Sequence, residues 1–383
     1  MAEMASGSRK ELRRAYGFDE VALVPGTVTV NPENVDLSFR IGEHTLSIPV
    51  LASAMDAVVD PGFAIKFGRF GGLAVLNLDG LQTRYDNPEE LLAEIAQSSP
   101  LEVTSVLQKI YQQPIKPNLI GERLSAIKKG GVLAAASCTP QNASIFAPLA
   151  VEAGVDIFVV ASTVTTARHI SEGKQELSFD KFCKSTKVPV LVGNCVSYEA
   201  SRELMQTGIA GLLVGVGPGA ACTSREVLGV GVPQVTATID CAAARDDYFA
   251  ETGRYVPIIT DGGMRNGGDI SKAIAAGADA IMIGSPFAQA EEAPGRGFHW
   301  GMATPHAGLP RGTRIRVGIN GSLQQILFGP TSRTDGTQNL MGALRTSMGV
   351  CGAKTIKEMQ RTEMVIAPAI VTEGKIWQLT GSK

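Results

Sequence analysis

One pattern recurs along this chain: a helix-like segment ends at a glycine, and a short apolar run follows at once. The pattern is found at Gly154 before residues 157–160, at Gly208 before 212–214 and at Gly277 before 281–283. Glycine is favoured just past a helix C-terminus, because it adopts the left-handed backbone conformation that ends many helices. An apolar strand directly after such an end is half of a β-α-β unit, so the chain must build a parallel sheet.

Five further apolar runs raise the number of predicted strands to eight. They lie at residues 48–52, 73–76, 132–136, 188–192 and 257–259. The runs are continuously apolar, as in parallel strands that are buried on both faces. Eight strand–helix units in roughly 250 residues are typical of a (β/α)8 barrel. We therefore predict an α/β fold, a TIM barrel, as a single catalytic domain over residues 1–383, with a doubly wound open sheet as the alternative.

The overall composition limits the possible partners. Lys and Arg number 35 against 37 Asp and Glu, so the sequence has no basic field for nucleic acid. Its six cysteines form no CxxC pair and no zinc-like spacing, which is the pattern of reduced cytosolic thiols. No apolar run approaches the roughly 18 residues of a membrane span. We expect a cytoplasmic protein that binds neither nucleic acid nor membrane.

A glycine-rich loop presents a single thiol directly after the sixth predicted strand. Residues 215–225 read GVGPGAACTSR. Gly217 and Gly219 permit backbone angles at which carbonyls converge, as they do around a cation. The hydroxyls of Thr223 and Ser224 and the charge of Arg225 favour a reactive thiolate at Cys222. The alternative is a plain glycine turn with a buried cysteine.

Polar residues and glycines also follow the other predicted strands, where barrel enzymes hold their active sites. They are Ser53, Met55 and Asp56 after the first strand, Asn77 after the second, Ser162 and Thr163 after the fourth, Asn194 after the fifth, 261–265 after the seventh, and Gly284 and Ser285 after the eighth. Glycine turns after strands seven and eight commonly bind phosphate, although they can be turns alone. Asp261 is placed to bind ribose hydroxyls. The set indicates a nucleotide whose base lies near Cys222.

These motifs resemble the inosine-5'-monophosphate (IMP) dehydrogenase and GMP reductase family. The matching segments are FDEVALVPG at 18–26, SAMD at 53–56, the cysteine loop, DGGMR at 261–265 and GM at 301–302. The resemblance covers nearly the whole chain. It implies a purine nucleotide substrate, NAD as cofactor and a homo-tetramer.

The resemblance also implies a role for each site residue. Cys222 would attack C2 of the hypoxanthine ring, hydride would pass to NAD, and hydrolysis of the thioimidate would give xanthosine monophosphate (XMP). Ser224 matches a threonine of a proton relay. Ser53, Met55, Gly301 and Met302 match residues that line the base, whereas Asp261, Gly262, Gly263, Gly284 and Ser285 match the ribose and phosphate binders. The remaining matches are His299 beside the phosphate, Asn194 between substrate and cofactor, and the carbonyls of Gly217, Gly219 and Cys222 around a potassium ion.

The chain departs from the family pattern at several positions. Ala220 replaces a phosphate-binding serine, and Ala161 replaces an aspartate that faces the cofactor, which leaves Ser162 and Thr163 as the expected cofactor contacts. Residues 78–129 are too few for the pair of regulatory cystathionine-β-synthase (CBS) modules of most dehydrogenases. We therefore predict a short helical segment there and no CBS domain.

A long segment at 291–329, rich in glycine, proline, histidine and arginine, is predicted to be a mobile flap. Relatives activate water there with an Arg-Tyr dyad, which this chain lacks. His306 and Arg311 are the candidates for that role, and solvated loop charges are the alternative.

The long flap favours IMP dehydrogenase over the alternative functions, since a dehydrogenase must admit and activate water. A GMP reductase, which converts GMP to IMP with NADPH, needs an acid that is not evident near residues 316–318. A non-catalytic purine-nucleotide-binding paralogue is allowed by Ala161 and Ala220. A flavin-phosphate barrel oxidoreductase would not need Cys222.

Overall fold

Eight parallel strands close into a barrel in the computed structural model, which describes residues 11–170, 177–301 and 314–369. Three short strands precede the barrel: β1 (Val21–Leu23), β2 (Phe39–Ile41) and β3 (His44–Leu46). The barrel strands are β4 (Val50–Ala52), β5 (Leu73–Asn77), β6 (Ala135–Cys138), β7 (Ile157–Ala161), β8 (Val190–Cys195), β9 (Gly211–Val214), β10 (Ile258–Asp261) and β11 (Ala280–Ile283). Each pairs with the next along the chain, and β11 pairs with β4. The predicted TIM barrel is confirmed.

The strand bounds differ slightly from the apolar runs that predicted them. Strands β4 and β8 begin after Pro49 and Pro189, two residues later than the runs. Proline has no N–H to donate to a sheet, so the regular pairing starts beyond it. Strand β8 extends to Cys195, which places Asn194 inside the strand.

Helices follow most barrel strands and cover the outside of the barrel. They are α1 (Pro61–Arg69), α2 (Glu89–Gln97), α3 (Val103–Tyr111), α4 (Pro117–Lys129), α5 (Pro140–Glu152), α6 (Phe179–Ser185), α7 (Tyr198–Gln206), α8 (Ser224–Leu228), α9 (Gln234–Thr252), α10 (Gly267–Ala275), α11 (Ser285–Ala288), α12 (Leu323–Phe328), α13 (Leu340–Val350) and α14 (Ile356–Met359). Short 3₁₀ helices lie at Phe18–Glu20, Pro32–Asn34 and Leu81–Thr83. In the described ranges, no helix combines the length and apolar character needed to cross a bilayer.

The glycines of the recurring pattern adopt the predicted left-handed conformation. Their φ angles are +84° at Gly154, +95° at Gly208 and +112° at Gly277. Each lies one residue past the C-cap of α5, α7 or α10 and three residues before the start of the next strand. The local signal that predicted the strand order is thus confirmed.

Apolar side chains fill the barrel, and a hairpin closes its amino end. Alternate strand residues such as Leu73 and Val75 point inward, where they pack with Phe39, Ile41 and Leu46 of the β2–β3 hairpin. Burying each large apolar side chain contributes about 1.5–3 kcal/mol. Because the hairpin fills one end, only the carboxyl end of the barrel is left open for a ligand.

Two further strand pairs lie outside the barrel. Strand β1 pairs with β14 (Met364–Ile366), and β12 (Phe298–His299) pairs with β13 (Ile315–Arg316). Helices α2 and α3 pack in a separate apolar cluster that includes Trp300, the residue after β12. The segment between β5 and β6 therefore contacts the segment that follows the barrel.

Candidate active site

A cavity of about 800 Å³ opens at the carboxyl end of the barrel. Every residue within the described ranges that was assigned a catalytic, substrate-, cofactor- or ion-binding role lines it, whereas Asp56 does not: the lining includes Ser53, Met55, Ser162, Thr163, Asn194, Gly217, Gly219, Cys222, Ser224, Asp261, Gly262, Gly263, Gly284, Ser285, His299 and Gly301. The other three, Met302, His306 and Arg311, lie outside the described residues. The structure thus brings residues from seven different loops to one place.

The cysteine loop is a tight turn between β9 and α8. Gly215 and Gly217 have φ angles of +151° and +74°, which disfavour any residue with a side chain. A Cβ at Gly217 would lie 2.5 Å from Cγ of Arg225, so the loop also needs glycine for space. The backbone N–H of Cys222 donates to the Gly219 carbonyl at 3.0 Å. The turn leaves Cys222 exposed in the cavity, which rules out the alternative of a buried cysteine.

Ser224 and Arg225 have different relations to this thiol. The Cys222 Sγ donates to Ser224 Oγ at 3.3 Å, and Ser224 is buried. The Arg225 guanidinium instead donates to the carbonyls of Val216 at 3.2 Å and Val232 at 2.7 Å. Partial burial lowers the pKa of Arg225, and the nearby Cys222 opposes this shift. Ser224 is the direct partner of the thiol, and Arg225 holds the loop around it.

Asp261 ends β10 and faces the cavity with Asn194. The Asn194 amide Nδ2 donates to Asp261 Oδ2 at 2.8 Å. Burial raises the pKa of Asp261 to about 6, while the hydrogen bond from Asn194 lowers it. A carboxylate with so few donors is suited to accept hydrogen bonds from ligand hydroxyls.

Gln234, the first residue of α9, does not line the cavity but holds two segments that do, and the sequence analysis missed it. Its Nε2 donates to the Val214 carbonyl at 2.9 Å and to the Asp261 carbonyl at 2.8 Å. Its Oε1 is buried and has no hydrogen-bond partner among the described residues. Gln234 thereby fixes the start of the cysteine loop relative to Asp261. No local motif marked it, because its partners belong to two other elements.

The expected phosphate side of the cavity combines glycine turns with a serine–histidine pair. Gly262 and Gly263 have φ angles of +82° and +84° and lie against Pro218 of the cysteine loop. Ser285 Oγ and His299 Nε2 are 3.0 Å apart. His299 is buried, its Nδ1 has no partner among the described residues, and burial lowers its pKa. The pair is therefore uncharged near neutral pH and offers hydrogen bonds to an anion.

The opposite side of the cavity carries the residues expected to contact the cofactor. Ser162 Oγ lies 2.9 Å from Oγ1 of Thr165, which donates to the Gly193 carbonyl at 2.6 Å. Ala161 leaves β7 without a carboxylate, but Asp79, which follows β5, lines the same cavity. The backbone N–H of Thr139 donates to Asp79 Oδ2 at 2.7 Å. The sequence analysis singled out Asn77 and overlooked Asp79 two residues later.

A family model for the IMP dehydrogenase / GMP reductase domain matches residues 15–376. The chain belongs to this family. As a member of the IMP dehydrogenase / GMP reductase family, it is an oxidoreductase, and the family binds purine nucleotides and generally uses NAD.

Individual relatives agree with this family membership. A protein of Mycobacterium leprae named an uncharacterized oxidoreductase is 39% identical over 376 residues, which cover 96% of this chain and 100% of the relative. The IMP dehydrogenase of Methanocaldococcus jannaschii is 28% identical, with 94% of each chain covered. A crystal structure of an IMP dehydrogenase/GMP reductase-like protein from Corynebacterium glutamicum superimposes with a TM-score of 0.88 at 35% identity, covering 94% of this chain and 97% of that one.

The alignments also bear on the regulatory insertion. The alignment with the M. leprae protein spans 376 positions, whereas that with the M. jannaschii enzyme spans 486, more than the 383 residues of this chain. Between β5 and β6, where most dehydrogenases carry CBS modules, this member of the family forms α2, α3 and α4. The prediction of a family member without a CBS domain is confirmed.

Proposed function

We propose that this protein is an IMP dehydrogenase that oxidises IMP to XMP in guanine nucleotide synthesis. The observation that carries the proposal is the exposed thiol of Cys222 in one cavity with Asp261 and the Ser285–His299 pair. A thiol that faces a ribose- and phosphate-binding wall is placed for covalent chemistry on the base of a nucleotide.

The proposed reaction proceeds in two stages at Cys222. The thiolate adds to C2 of the purine, and the hydrogen on C2 departs with its electron pair, which leaves a thioimidate. Water then adds to C2, the C–S bond breaks, and XMP and the thiol are released. Ser224, whose hydroxyl accepts from Cys222 Sγ at 3.3 Å, is placed to relay the thiol proton, accepting it while passing its own proton onward. His306 and Arg311, outside the described residues, remain the predicted activators of water.

The substrate would be held at three points of the cavity. Asp261 would accept hydrogen bonds from the ribose hydroxyls, since it has an unfilled acceptor capacity. The phosphate would lie against the turns at Gly262, Gly263 and Gly284 and the side chains of Ser285 and His299, which offer uncharged donors. Ser53, Met55, Gly301 and Met302 would line the base. Ala220 removes one hydroxyl from the phosphate site, and the Ser285–His299 pair offers a replacement.

The remaining part of the cavity fits a dinucleotide. It continues from Cys222 past Asn194 to Ser162, Thr163 and Asp79, so one volume would receive both ligands. NAD bound there would supply the acceptor for the hydride. Ser162 and Thr163 would contact it, with Asn194 between the two ligands.

The carbonyls of the cysteine loop are the proposed donors to a potassium ion. The described residues include no group of three or more acidic, histidine or cysteine side chains able to hold a metal, so the donors would be backbone oxygens. The Gly219 carbonyl already accepts from Cys222 N–H and keeps a second lone pair. With the carbonyls of Gly217 and Cys222, it would hold the ion and order the loop.

The deciding experiment compares two substrate pairs on the purified protein. IMP with NAD should produce NADH, and potassium should stimulate this production. Oxidation of NADPH with GMP, and no turnover of IMP, would identify a GMP reductase instead. Tight binding of IMP with neither reaction would identify a non-catalytic paralogue. We further propose that the protein is a homo-tetramer in the cytoplasm. Light scattering of the same preparation tests the oligomeric state.

A further inference from the structure

The Tyr111 hydroxyl, at the end of α3, joins two walls of the active site without lining the cavity. It donates to Asp56 Oδ2 at 2.5 Å and accepts from the Trp300 indole Nε1 at 2.8 Å. All three side chains are at least nine-tenths buried. A tyrosine hydroxyl can donate and accept at once, so it can connect a carboxylate with an indole N–H.

Asp56 belongs to the loop that lines the expected base site. It follows Ser53 and Met55, both in the cavity wall, by three residues and one residue. The backbone N–H of Leu81 also donates to Asp56 Oδ2, at 2.8 Å. Asp56 therefore ties the base loop to the segment after β5.

Trp300 lies between two residues of the adjacent part of the cavity wall. His299 and Gly301 both line the cavity, and His299 forms the pair with Ser285. Trp300 packs with α2 and α3 in the apolar cluster. A second contact holds the same strand pair: Arg314, next to β13, donates to the Ala96 carbonyl at 3.1 Å and stacks over Phe298 at 4.4 Å. The helices between β5 and β6 thus contact β12 and β13 at two points.

We propose that Tyr111 is a positioning residue that fixes the base-binding loop relative to the phosphate-binding strand. The two segments also touch directly, since the Gly295 N–H donates to the Ala57 carbonyl at 3.0 Å, and the Tyr111 hydroxyl adds a second link through Asp56 on one side and Trp300 on the other. Helices α2 and α3 therefore stabilise the active site through contacts made outside the cavity. This inference rests on the proposed function in one respect, that the ligand spanning the two walls is a purine nucleotide.

The first test measures IMP affinity in Tyr111→Phe. The substitution keeps the ring, over which the Arg84 guanidinium lies at 6.0 Å, and removes the bridge. Calorimetry should show affinity for IMP weakened by about tenfold, since one buried hydrogen-bond connection is lost on each side. The matched control is Tyr85→Phe, which removes a hydroxyl that donates to the Ile110 carbonyl at 2.9 Å in the same helical segment. Equal melting temperatures and equal IMP affinities in the two variants would overturn the proposal.

The second test needs no nucleotide. The chain has two tryptophans, so a Trp377→Phe background leaves Trp300 as the only indole emitter. Asp56→Asn should shift Trp300 emission when Tyr111 is present and leave it unchanged in Tyr111→Phe, because the effect passes through the bridging hydroxyl. An equal shift in both backgrounds would contradict the bridge. A parent protein that does not bind IMP would refute the proposed function. The emission comparison would still show whether the Tyr111 hydroxyl connects Asp56 with Trp300.

Discussion

The two ends of the barrel hold a buried aspartate in opposite ways. Asp279, before β11 at the amino end, accepts hydrogen bonds from five groups: Tyr255 OH at 2.7 Å, Lys357 Nζ at 2.6 Å, Gln360 Nε2 at 3.1 Å, Arg245 Nη1 at 2.9 Å and Ile258 N at 2.8 Å. Asp261, at the carboxyl end of β10, accepts one side-chain hydrogen bond in the described part of the chain, from Asn194. The first carboxylate is fully paired and the second is not.

The different number of partners predicts that Asp279 contributes mainly to stability and Asp261 mainly to ligand binding. A buried charge with many partners fixes its surroundings, and removing it leaves those partners without an acceptor. Burial raises the pKa of both carboxylates, but the few partners of Asp261 leave it with free acceptor sites, which is the usual state of a group that meets a ligand. We therefore expect substitutions at the amino end to lower stability, and substitutions at the carboxyl end to lower binding or turnover.

The largest effect is expected for Cys222→Ala at the carboxyl end. Turnover of IMP should fall by on the order of 10⁴-fold or more, because the thiol that forms the covalent intermediate is lost. The melting temperature should stay at the parent value, since the thiol is exposed. Steady-state kinetics and thermal denaturation measure the two quantities. Activity that survives this change would refute the thioimidate mechanism.

Asp279→Asn should give the reverse result. The free energy of unfolding should fall by about 3–5 kcal/mol, because Arg245 loses its buried partner. The folded fraction should keep the parent kcat, since Asp279 does not line the cavity. Urea denaturation followed by kinetics on the native protein tests both statements. A lower kcat in native Asp279→Asn would contradict the expectation that substitutions at the amino end affect stability alone.

The ionisation of Asp261 should make nucleotide binding pH-dependent. Because its pKa is raised to about 6, the carboxylate takes up a proton as the pH falls through this value and loses acceptor capacity. IMP affinity should therefore weaken below pH 6, by up to about tenfold per pH unit. Stability should change in the other direction: a folded-state pKa above the unfolded value means that stability rises as the pH falls from 6 towards 4. In Asp261→Asn, calorimetry should find weaker binding without this pH dependence.

The smallest effect is expected for Tyr255→Phe. It removes one of the five donors to Asp279 and leaves the Arg245 pair in place, so the free energy of unfolding should fall by only about 1 kcal/mol. Urea denaturation beside Asp279→Asn provides the comparison. A loss as large as that of Asp279→Asn would mean that the donors act as one unit and do not contribute individually.

Much of the fold could be predicted because its signals are local. A glycine past a helix end, such as Gly154, and a continuous apolar run directly after it need no distant partner to be recognised. The positions of Cys222 in the loop after β9 and of Asp261 at the end of β10 followed from the same pattern. Strand starts were less accurate where a proline interrupted an apolar run, as at Pro189.

Contacts between distant segments could not be predicted. Gln234 joins the ends of β9 and β10, and Asp79 contacts the residues that follow β6. Tyr111 bonds Trp300 across 189 positions of sequence. Nothing in the neighbouring residues of a tyrosine or a glutamine indicates which distant group it will meet.

The sequence by itself determined the order of strands and helices, the barrel and the set of loops that line the cavity, because hydrophobic periodicity and helix ends are encoded over a few residues. The tertiary structure alone decided how those loops are held: the thiol beside Ser224, the uncharged Ser285–His299 pair, the sparsely bonded Asp261 and the bridge through Tyr111. Such geometry depends on how whole elements pack, and packing places in contact residues that are far apart in the chain.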